Sequence, residues 1–302
     1  MSPKPKPNPK SAPKLDDPRE QDVPQPFPKQ RQEPPGLEAE MRPRPDYGED
    51  SWKGLGRLEG RRALITGGDS GIGRATALAF AREGGDVAIG YLEPDEKRDA
   101  DETVAAIEKT GHKCLRVPGD IRDPEQCKAM VERVVKELGG IDILVNNAAF
   151  QMAHDDIGEI TPEELDRVFR TNVYAMFWLC QAAIPHMKPG SSIINTASVQ
   201  AYKPSPELLH YACTKAAQVN FTKGLAQMVA DKGIRVNAVA PGPVWTPLIP
   251  SSDMDVSKFG EKTFFKRAAQ PVELAPLYVF LASNEASYVS GMVYGATGYI
   301  QP

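Results

Sequence analysis

Tyr211 and Lys215 lie four residues apart in the stretch HYACTKAA, residues 210 to 217. On a helix this spacing puts the phenol and the ammonium on one face. A phenol has an ordinary pKa near 10, and moving that pKa to about 7 requires roughly 4 kcal/mol. An ammonium about 4 Å away supplies on the order of 4 kcal/mol at an effective dielectric constant near 20. The pair could therefore act as a general acid–base at neutral pH, although the spacing alone also fits a surface pair with no function.

Short apolar runs alternate with longer helical patterns from Arg61 onward. This alternation predicts βαβ units, and so an α/β doubly wound fold with a parallel sheet of about seven strands and helices on both faces. Ligands of such sheets bind outside the carboxyl ends of the strands. We predict strands near 61–66, 86–91, 112–120, 141–146, 191–197, 234–240 and 291–296, and helices near 72–83, 95–110, 124–138, 162–187, 208–231 and 271–283.

A glycine-rich turn, TGGDSGIG at residues 66–73, joins the first predicted strand to the first predicted helix. Glycines in this pattern allow positive φ and let the backbone approach a pyrophosphate at a helix N-terminus. Gly68 and Gly73 also have the spacing of a nucleotide P-loop, but Arg74 and Ala75 stand where that motif needs Lys and Ser/Thr. The turn therefore favours a dinucleotide site over a kinase or NTPase.

Further motifs follow the glycine turn in order. They are NNAA after the fourth predicted strand, a serine just past the fifth, Y-x-x-x-K on the next helix and PG after the sixth. Together they resemble the classical short-chain dehydrogenase/reductase family over about residues 57–298. The long N-terminal extension together with TGGDSGIG resembles a subgroup described as glucose/ribitol dehydrogenase-like or stress-related aldehyde reductases.

The resemblance implies a Rossmann-fold, NAD(P)-dependent oxidoreductase that interconverts an alcohol and a carbonyl of the small aldehyde, sugar or polyol type. In its catalytic set, Tyr211 is the acid–base and Lys215 tunes it. Ser198 steadies the substrate oxygen, and Asn172 holds the helix and the water of a proton relay to Lys215. The implied cofactor contacts are Gly67, Asp69, Ser70, Gly71, Ile72, Gly73, Tyr91, Leu92, Asp120, Ile121, Asn146, Ala148, Tyr211, Lys215, Pro241, Gly242, Val244 and Thr246.

The choice between NAD and NADP is made at the end of the second predicted strand. Members of the family that prefer NAD usually carry an acid there, and those that prefer NADP carry a basic residue, whereas this chain has Tyr91 and Leu92. Ser70 stands where some NADP-dependent members have arginine. Glu93 follows, and its carboxylate could accept a ribose hydroxyl and would repel a 2′-phosphate. NAD is therefore favoured over NADP.

The first 50 residues hold 13 of the 28 prolines. We predict a Pro-rich N-terminal arm over residues 1–48 and one dehydrogenase/reductase domain over 49–302. Residues 1 to about 25 cannot bury enough apolar surface to offset their ordering entropy and are expected to be disordered or extended. Residues 26–48 either lie over the domain or a neighbouring subunit, or form a plain linker. Their spaced apolar anchors are Phe27, Leu37, Met41 and Tyr47.

The bulk composition predicts a small-molecule enzyme with no nucleic-acid or membrane partner. The net charge is -4, and no apolar run approaches the roughly 20 residues of a membrane span. The four cysteines lack disulfide or zinc spacing, which indicates reduced thiols and a cytoplasmic protein. The histidines show no ligand spacing either, so no metal site is predicted. The family resemblance implies a homo-oligomer, commonly a tetramer.

Two alternatives to this function remain open. A β-ketoacyl reductase would need a basic surface for an acidic carrier protein, and no such cluster is obvious near the site loops. A dinucleotide-binding scaffold without catalysis is disfavoured because all four catalytic positions are present. The substrate is expected to be selected by residues 245–270, where several large apolar side chains form either an apolar lid or buried packing. They are Trp245, Leu248, Ile249, Phe259 and Phe264.

Overall fold

A computed structural model describes residues 17–19 and 25–298 of the chain. The expected disorder of residues 1 to about 25 falls almost entirely outside these ranges. Among the described residues, no helix combines the length and the apolarity that crossing a bilayer requires.

Seven parallel strands form one sheet in the order β3-β2-β1-β4-β5-β6-β7. The order reverses between β1 and β4, which places the switch point of the sheet there. This arrangement confirms the predicted doubly wound α/β fold. The strands are β1 (Arg62–Thr66), β2 (Asp86–Tyr91), β3 (Cys114–Pro118), β4 (Ile143–Asn146), β5 (Ser192–Thr196), β6 (Arg235–Pro241) and β7 (Val293–Ala296).

The helices lie close to their predicted positions, with one exception. The long helix predicted over 162–187 is interrupted by a π-helical turn, Arg170–Tyr174, and ends in a 3₁₀ turn. The α-helices are α1 (Gly71–Arg82), α2 (Lys97–Glu108), α3 (Pro124–Leu138), α4 (Pro162–Phe169), α5 (Ala175–Ala183), α6 (Leu209–Met228) and α7 (Ala275–Ala282). The 3₁₀ helices are Glu38–Glu40, Ile157–Glu159, Ile184–His186, Val199–Ala201, Pro206–Leu208, Ala230–Lys232, Val256–Lys258, Pro271–Glu273 and Asn284–Ala286.

Two apolar layers hold the helices against the sheet. On one face α1, α2 and α7 pack through side chains such as Phe80 and Tyr278, both fully buried. On the other face α3, α5 and α6 pack through side chains such as Met130 and Leu179. Because both faces of the sheet are covered, the strand sequences are nearly continuous apolar runs. The carboxyl ends of the strands remain free of these layers, and a ligand site can form there.

The N-terminal arm, residues 25–48, packs on the domain of the same chain. Phe27 stacks on Trp245 with ring centroids 3.9 Å apart and planes 9° apart. Met41 is fully buried in the same apolar cluster, and the indole Nε1 of Trp245 donates to the carbonyl of Pro43 at 2.9 Å. Two of the predicted apolar anchors therefore hold the arm against the loop that follows β6.

A buried carboxylate holds the arm against the start of α1. One oxygen of Glu38 accepts the backbone N–H of Gly71 at 2.7 Å, and the other accepts from Arg74 at 2.7 Å. Asp99 of α2 in turn accepts the backbone N–H groups of Glu38 and Ala39. Burial raises the pKa of Glu38 to about 7, against the lowering effect of Arg74 and the Gly71 N–H.

Candidate active site

A cavity of about 560 Å³ lies at the carboxyl ends of the strands. Its walls come from the turns after β1 to β6, from α6, and from Pro34 and Pro35 of the arm. Gly73, Asn146 and Asn172 are the predicted site residues outside this lining. The predicted residues that line it are Gly67, Asp69, Ser70, Gly71, Ile72, Tyr91, Leu92, Asp120, Ile121, Ala148, Ser198, Tyr211, Lys215, Pro241, Gly242, Val244 and Thr246.

The glycine turn is close-packed where it enters α1. Gly67 has a φ of +62°, which L side chains rarely adopt. A Cβ on Gly73 would lie 1.9 Å from the carbonyl oxygen of Gly67, and one on Gly71 would lie 3.0 Å from the side chain of Thr246. The turn therefore leaves backbone at the cavity wall at the N-terminus of a helix, which suits a phosphate group.

The segment after β4 is tied to this turn through Thr66. Its hydroxyl accepts the backbone N–H groups of Asn147 and Ala148 at 3.0 and 3.1 Å. The Asn147 amide then donates to the carbonyl oxygens of Thr66 and Gly67. Asn146 instead turns away from the cavity and donates to Asn195 at 2.9 Å. Asn147, which sequence reasoning passed over, is the asparagine that lines the cavity.

Asn172 lies in the π-helical turn, and its side chain is fully engaged. Its amide oxygen accepts the N–H of Phe150 at 2.8 Å, and its amide nitrogen donates to the Phe150 carbonyl and to the Thr214 hydroxyl. The turn is thereby pinned to the segment after β4 and to α6. Single π turns inside α-helices are frequent at functional sites, and this one presents the backbone carbonyl of Asn172 to α6.

Lys215 extends beneath the cavity floor from α6. Its ammonium donates to the carbonyl of Thr196 at 2.7 Å and to the amide oxygen of Gln218 at 3.1 Å. The Gln218 nitrogen donates to the Asn172 carbonyl at 2.5 Å. Gln218 is 3% exposed, and its side chain spans the gap where the family resemblance implied a relay water. A polar residue at a buried position one helical turn beyond Lys215 is the sequence signal that could have found it.

Tyr211 and Ser198 both line the cavity wall. The ammonium of Lys215 lies 5.2 Å from the centroid of the Tyr211 ring. Burial raises the pKa of Tyr211, while the nearby Ser198 hydroxyl lowers it. Burial also lowers the pKa of Lys215 to about 7. The phenol pKa is therefore raised by desolvation, and not lowered by Lys215 as the sequence suggested.

Two carboxylates, the buried Asp69 and the partly buried Glu96, form the cavity wall beside the end of β2. Asp69 is 1% exposed, and its Oδ1 has no hydrogen-bond partner among the described residues. Glu96 accepts the N–H of Leu92 at 2.7 Å, and burial raises its pKa to about 7. Burial and the neighbouring Glu96 raise the pKa of Asp69. Glu93, the acid that the sequence suggested, is exposed and lies outside the lining.

Asp120 lies at the opposite side of the same wall, after β3. Its carboxylate accepts from Arg122 at 2.9 and 2.5 Å, and this contact lowers the pKa of Asp120. Its backbone N–H donates to Gln126 at 2.7 Å. The Asp120 carboxylate is therefore already paired. The backbone of Asp120 and the side chain of Ile121 remain available to pack against a flat ring such as adenine.

The loop after β6 divides the large apolar side chains between the two expected uses. Leu248, Ile249 and Phe259 line the cavity. Trp245 is fully buried behind it against the arm, and Phe264 is 66% exposed. Three of these five side chains therefore face the cavity, and Trp245 serves as structural packing.

A seven-stranded parallel sheet with a glycine turn at its switch point and a Ser-Tyr-Lys cluster beside it defines a Rossmann-type oxidoreductase. Comparison with known proteins agrees. A family model described as enoyl-(acyl carrier protein) reductase matches residues 67–298. The chain belongs to the short-chain dehydrogenase/reductase family.

Three named relatives illustrate the similarity. The uncharacterized oxidoreductase YghA of Escherichia coli (strain K12) is 52% identical over 94% of this chain and 97% of its own length. The glucose and ribitol dehydrogenase of Daucus carota is 47% identical over 90% of this chain and 96% of its own. The chloroplastic NADPH-dependent aldehyde reductase 1 of Arabidopsis thaliana is 48% identical over 87% of this chain and 94% of its own.

Two solved structures carry the same fold. A short-chain dehydrogenase from Burkholderia cenocepacia J2315 in complex with NADP is 33% identical, with a TM-score of 0.76 over 80% of this chain and 98% of that one. A 3-ketoacyl-(acyl-carrier-protein) reductase from Brucella melitensis complexed with NADH is 34% identical, with a TM-score of 0.73 over 80% of this chain and 98% of that one.

Proposed function

We propose that the protein is a nicotinamide-dependent enzyme that interconverts a small carbonyl compound and its alcohol. The observation that carries the proposal is that Tyr211 and Ser198 line the same cavity wall, with the ammonium of Lys215 5.2 Å from the centroid of the Tyr211 ring. No other described group at that wall combines a proton donor, a second hydroxyl and a buried cation.

Tyr211 would donate its proton to the carbonyl oxygen during reduction and take it back during oxidation. Ser198 would donate a hydrogen bond to the same oxygen, which stabilises the charge that develops there. Lys215 places a positive charge next to the phenolate that remains. The carbonyl of Thr196 and the amide oxygen of Gln218 fix that ammonium by accepting hydrogen bonds from two of its three N–H groups. Asn172 acts indirectly, because its carbonyl positions Gln218.

A nicotinamide dinucleotide fits the cavity. Bound there, it would supply or accept the hydride. The close-packed glycine turn would hold its diphosphate through backbone at the start of α1 other than the Gly71 N–H, which is bonded to Glu38. The unpartnered Asp69 Oδ1 is an acceptor for a ribose hydroxyl. The segment after β6, Pro241 to Thr246, would line the nicotinamide end, with Gly242 in contact with the backbone of Thr297.

NAD is the preferred cofactor in this proposal. The wall beside the end of β2 holds Asp69 and Glu96, and the cation on its β3 side, Arg122, is already paired with Asp120. A 2′-phosphate would place up to two further negative charges near these carboxylates, whereas a 2′-hydroxyl could donate to one of them. The supporting residue is therefore Glu96 rather than Glu93.

The substrate is proposed to be a small aldehyde, sugar or polyol. Two similar proteins carry names of that kind, glucose and ribitol dehydrogenase and aldehyde reductase. The substrate side of the cavity supports it with amide and hydroxyl groups beside a few apolar ones. Its lining there includes Gln151, Gln200, Ser205, Leu248, Ile249 and Met254.

The test is a turnover assay on the purified protein. NADH or NADPH is mixed with small aldehydes and aldoses, and NAD or NADP with polyols, while absorbance of the reduced nicotinamide is followed. We expect turnover with at least one small carbonyl or polyol. Turnover with a β-ketoacyl thioester alone would favour the acyl-reductase alternative, and NADH binding without any turnover would favour a non-catalytic scaffold.

We further propose that the active form is a homo-oligomer, most simply a tetramer. Two separate sets of exposed apolar side chains support this, one on α5 with Tyr174 and Phe177 and one near β7 with Tyr288 and Met292. Two self-complementary contacts per chain would generate a closed tetramer. Light scattering coupled to size exclusion should give four times the chain mass, and a monomer at micromolar concentration would contradict the proposal.

A cytoplasmic location is the last part of the proposal. All four cysteines are free, including the exposed Cys213, which suits a reducing compartment. Fractionation of source cells should recover the protein with cytoplasmic markers, and recovery from an oxidising compartment would contradict this assignment.

A further inference from the structure

His154, Glu164 and His210 converge from three separate elements. His154 lies in the segment after β4, Glu164 in the first turn of α4, and His210 in the first turn of α6. Nε2 of His154 is 2.7 Å and Nε2 of His210 is 2.9 Å from the same atom, Oε1 of Glu164. The ligand atoms of the three side chains all lie within 4.8 Å of one another.

His210 is buried at this cluster without a well-aligned partner. Its side chain is 2% exposed, and neither ring nitrogen makes a hydrogen bond of good geometry to the described residues. His154, by contrast, makes an aligned hydrogen bond to Glu164. Buried polar atoms without a partner are uncommon. The Nε2 of His210 therefore lies close to the carboxylate without making an aligned hydrogen bond to it. This arrangement is expected when two side chains both bind an ion that lies between them.

The surroundings of the cluster also suit a ligand. Oε2 of Glu159 lies 3.7 Å from Nδ1 of His154, the ring nitrogen away from the cluster. At this distance the carboxylate makes no hydrogen bond to the imidazole, but it adds a negative charge beside the cluster.

We propose that His154, Glu164 and His210 bind one divalent cation of the zinc type. Two imidazoles and one carboxylate form a donor set that Zn²⁺ accepts, with a fourth position left for water. Ca²⁺ and Mg²⁺ prefer oxygen donors throughout. The side chains of His154 and Glu164 are 18% and 19% exposed, so the fourth position can be reached from solvent.

The ion would link elements at the edge of the substrate cavity. None of the three side chains lines that cavity, but Gln151 and Glu207, on the neighbouring segments, do. The backbone N–H of His154 also donates to the carbonyl of Glu207 at 3.0 Å. A cation here would therefore fasten the segment after β4 to the start of α6, one residue before Tyr211, and its role would be structural.

Metal binding is tested on the intact protein after dialysis against EDTA. We titrate it with Co²⁺ alone and with Zn²⁺ alone. We expect one equivalent of Co²⁺ to bind with the visible absorption of a four-coordinate nitrogen–oxygen site and without a thiolate band. One equivalent of Zn²⁺ should displace it and raise the midpoint of thermal unfolding, since an ion that binds only the folded state stabilises that state.

Variants assign the ion to the cluster. His154→Gln and Glu164→Gln change partly exposed side chains, and each should weaken Co²⁺ binding by at least about tenfold. His112→Gln and His186→Gln replace the two remaining histidines of the chain and should leave binding unchanged. The proposal is overturned if the wild type binds no equivalent of either ion, or if binding survives in both cluster variants. In either case the three side chains form a hydrogen-bonded cluster only.

Discussion

Lys215 and Asn172 are joined by the side chain of Gln218, which accepts from the ammonium at 3.1 Å and donates to the Asn172 carbonyl at 2.5 Å. An amide can hold a proton donor in place, but it does not readily pass a proton along. The connection is therefore a brace for Lys215.

Replacing Gln218 should weaken the hold on Lys215. Gln218→Leu removes one of the two acceptors of a buried ammonium whose pKa is already lowered to about 7. A hydrogen bond to a charged group contributes about 1.5–3 kcal/mol, so the pKa of Lys215 should fall by at least about one unit. The alkaline limb of the activity–pH profile should then move to lower pH, and kcat at pH 8 should fall by about tenfold.

The control for this brace lies on the same helix. Gln227 is exposed near the end of α6, so Gln227→Leu changes the same residue type without touching Lys215. Its pH profile should match the wild type. An unchanged profile in Gln218→Leu would show that Thr196 alone is sufficient to hold the ammonium.

Cofactor preference should respond to Glu96 and not to Glu93. The wild type should use NADH with a kcat/KM at least about tenfold higher than NADPH, which corresponds to 1.4 kcal/mol. Glu96→Gln removes a partly buried carboxylate from the cavity wall and should lower that ratio several-fold. Glu93→Gln changes an exposed carboxylate two residues after Tyr91 and should leave the ratio unaltered. A wild-type preference for NADPH, or equal effects of the two variants, would contradict the proposed role of Glu96.

Docking of the arm should weaken as pH rises. The pKa of Glu38 is about 7 in the docked state against an ordinary value of 4.5. The docked state therefore binds more protons between these values, and its stability falls across that interval by up to roughly 3 kcal/mol. The charged groups that face Glu38 are Arg74 from α1, Asp99 from α2 and Arg44 from the arm itself.

Limited proteolysis of the arm measures this dependence. The rate of cleavage within residues 25–48 is taken as a ratio of wild type to Glu38→Gln, so that the pH response of the protease cancels. The ratio should rise by at least about tenfold between pH 5.5 and pH 8. A ratio that stays constant would mean that Arg74 keeps the carboxylate charged throughout.

Much of the fold was predictable from the sequence because its signals are local. The alternation of β-branched runs with helical periodicity and the Pro-led starts of α3 and α4 each depend on a few neighbouring residues. The helix break at 170–174 was not predictable, because it depends on Asn172 bonding to Phe150, 22 residues earlier. The single long helix predicted over 162–187 was therefore wrong at that point.

The site residues divide in the same way. Most of the residues predicted from motif order line one cavity, although the asparagine that lines it is Asn147 and not the predicted Asn146. The order of the motifs also did not point to Glu96, because the turn after β2 decides which carboxylate faces the cavity. The meeting of His154, Glu164 and His210 has no local signal at all, since 46 residues separate Glu164 from His210.

The central claim is that Tyr211 is the proton donor, and Tyr211→Phe tests it most directly. NADH consumption with the best carbonyl substrate is compared between this variant, the wild type and Tyr202→Phe, a matched change at a tyrosine that is 41% exposed. NADH binding, followed by nicotinamide fluorescence, should be retained in all three. The account predicts a fall in kcat of at least about a hundredfold for Tyr211→Phe alone. If Tyr211→Phe binds NADH and turns over at more than half the wild-type rate, proton donation by Tyr211 is wrong.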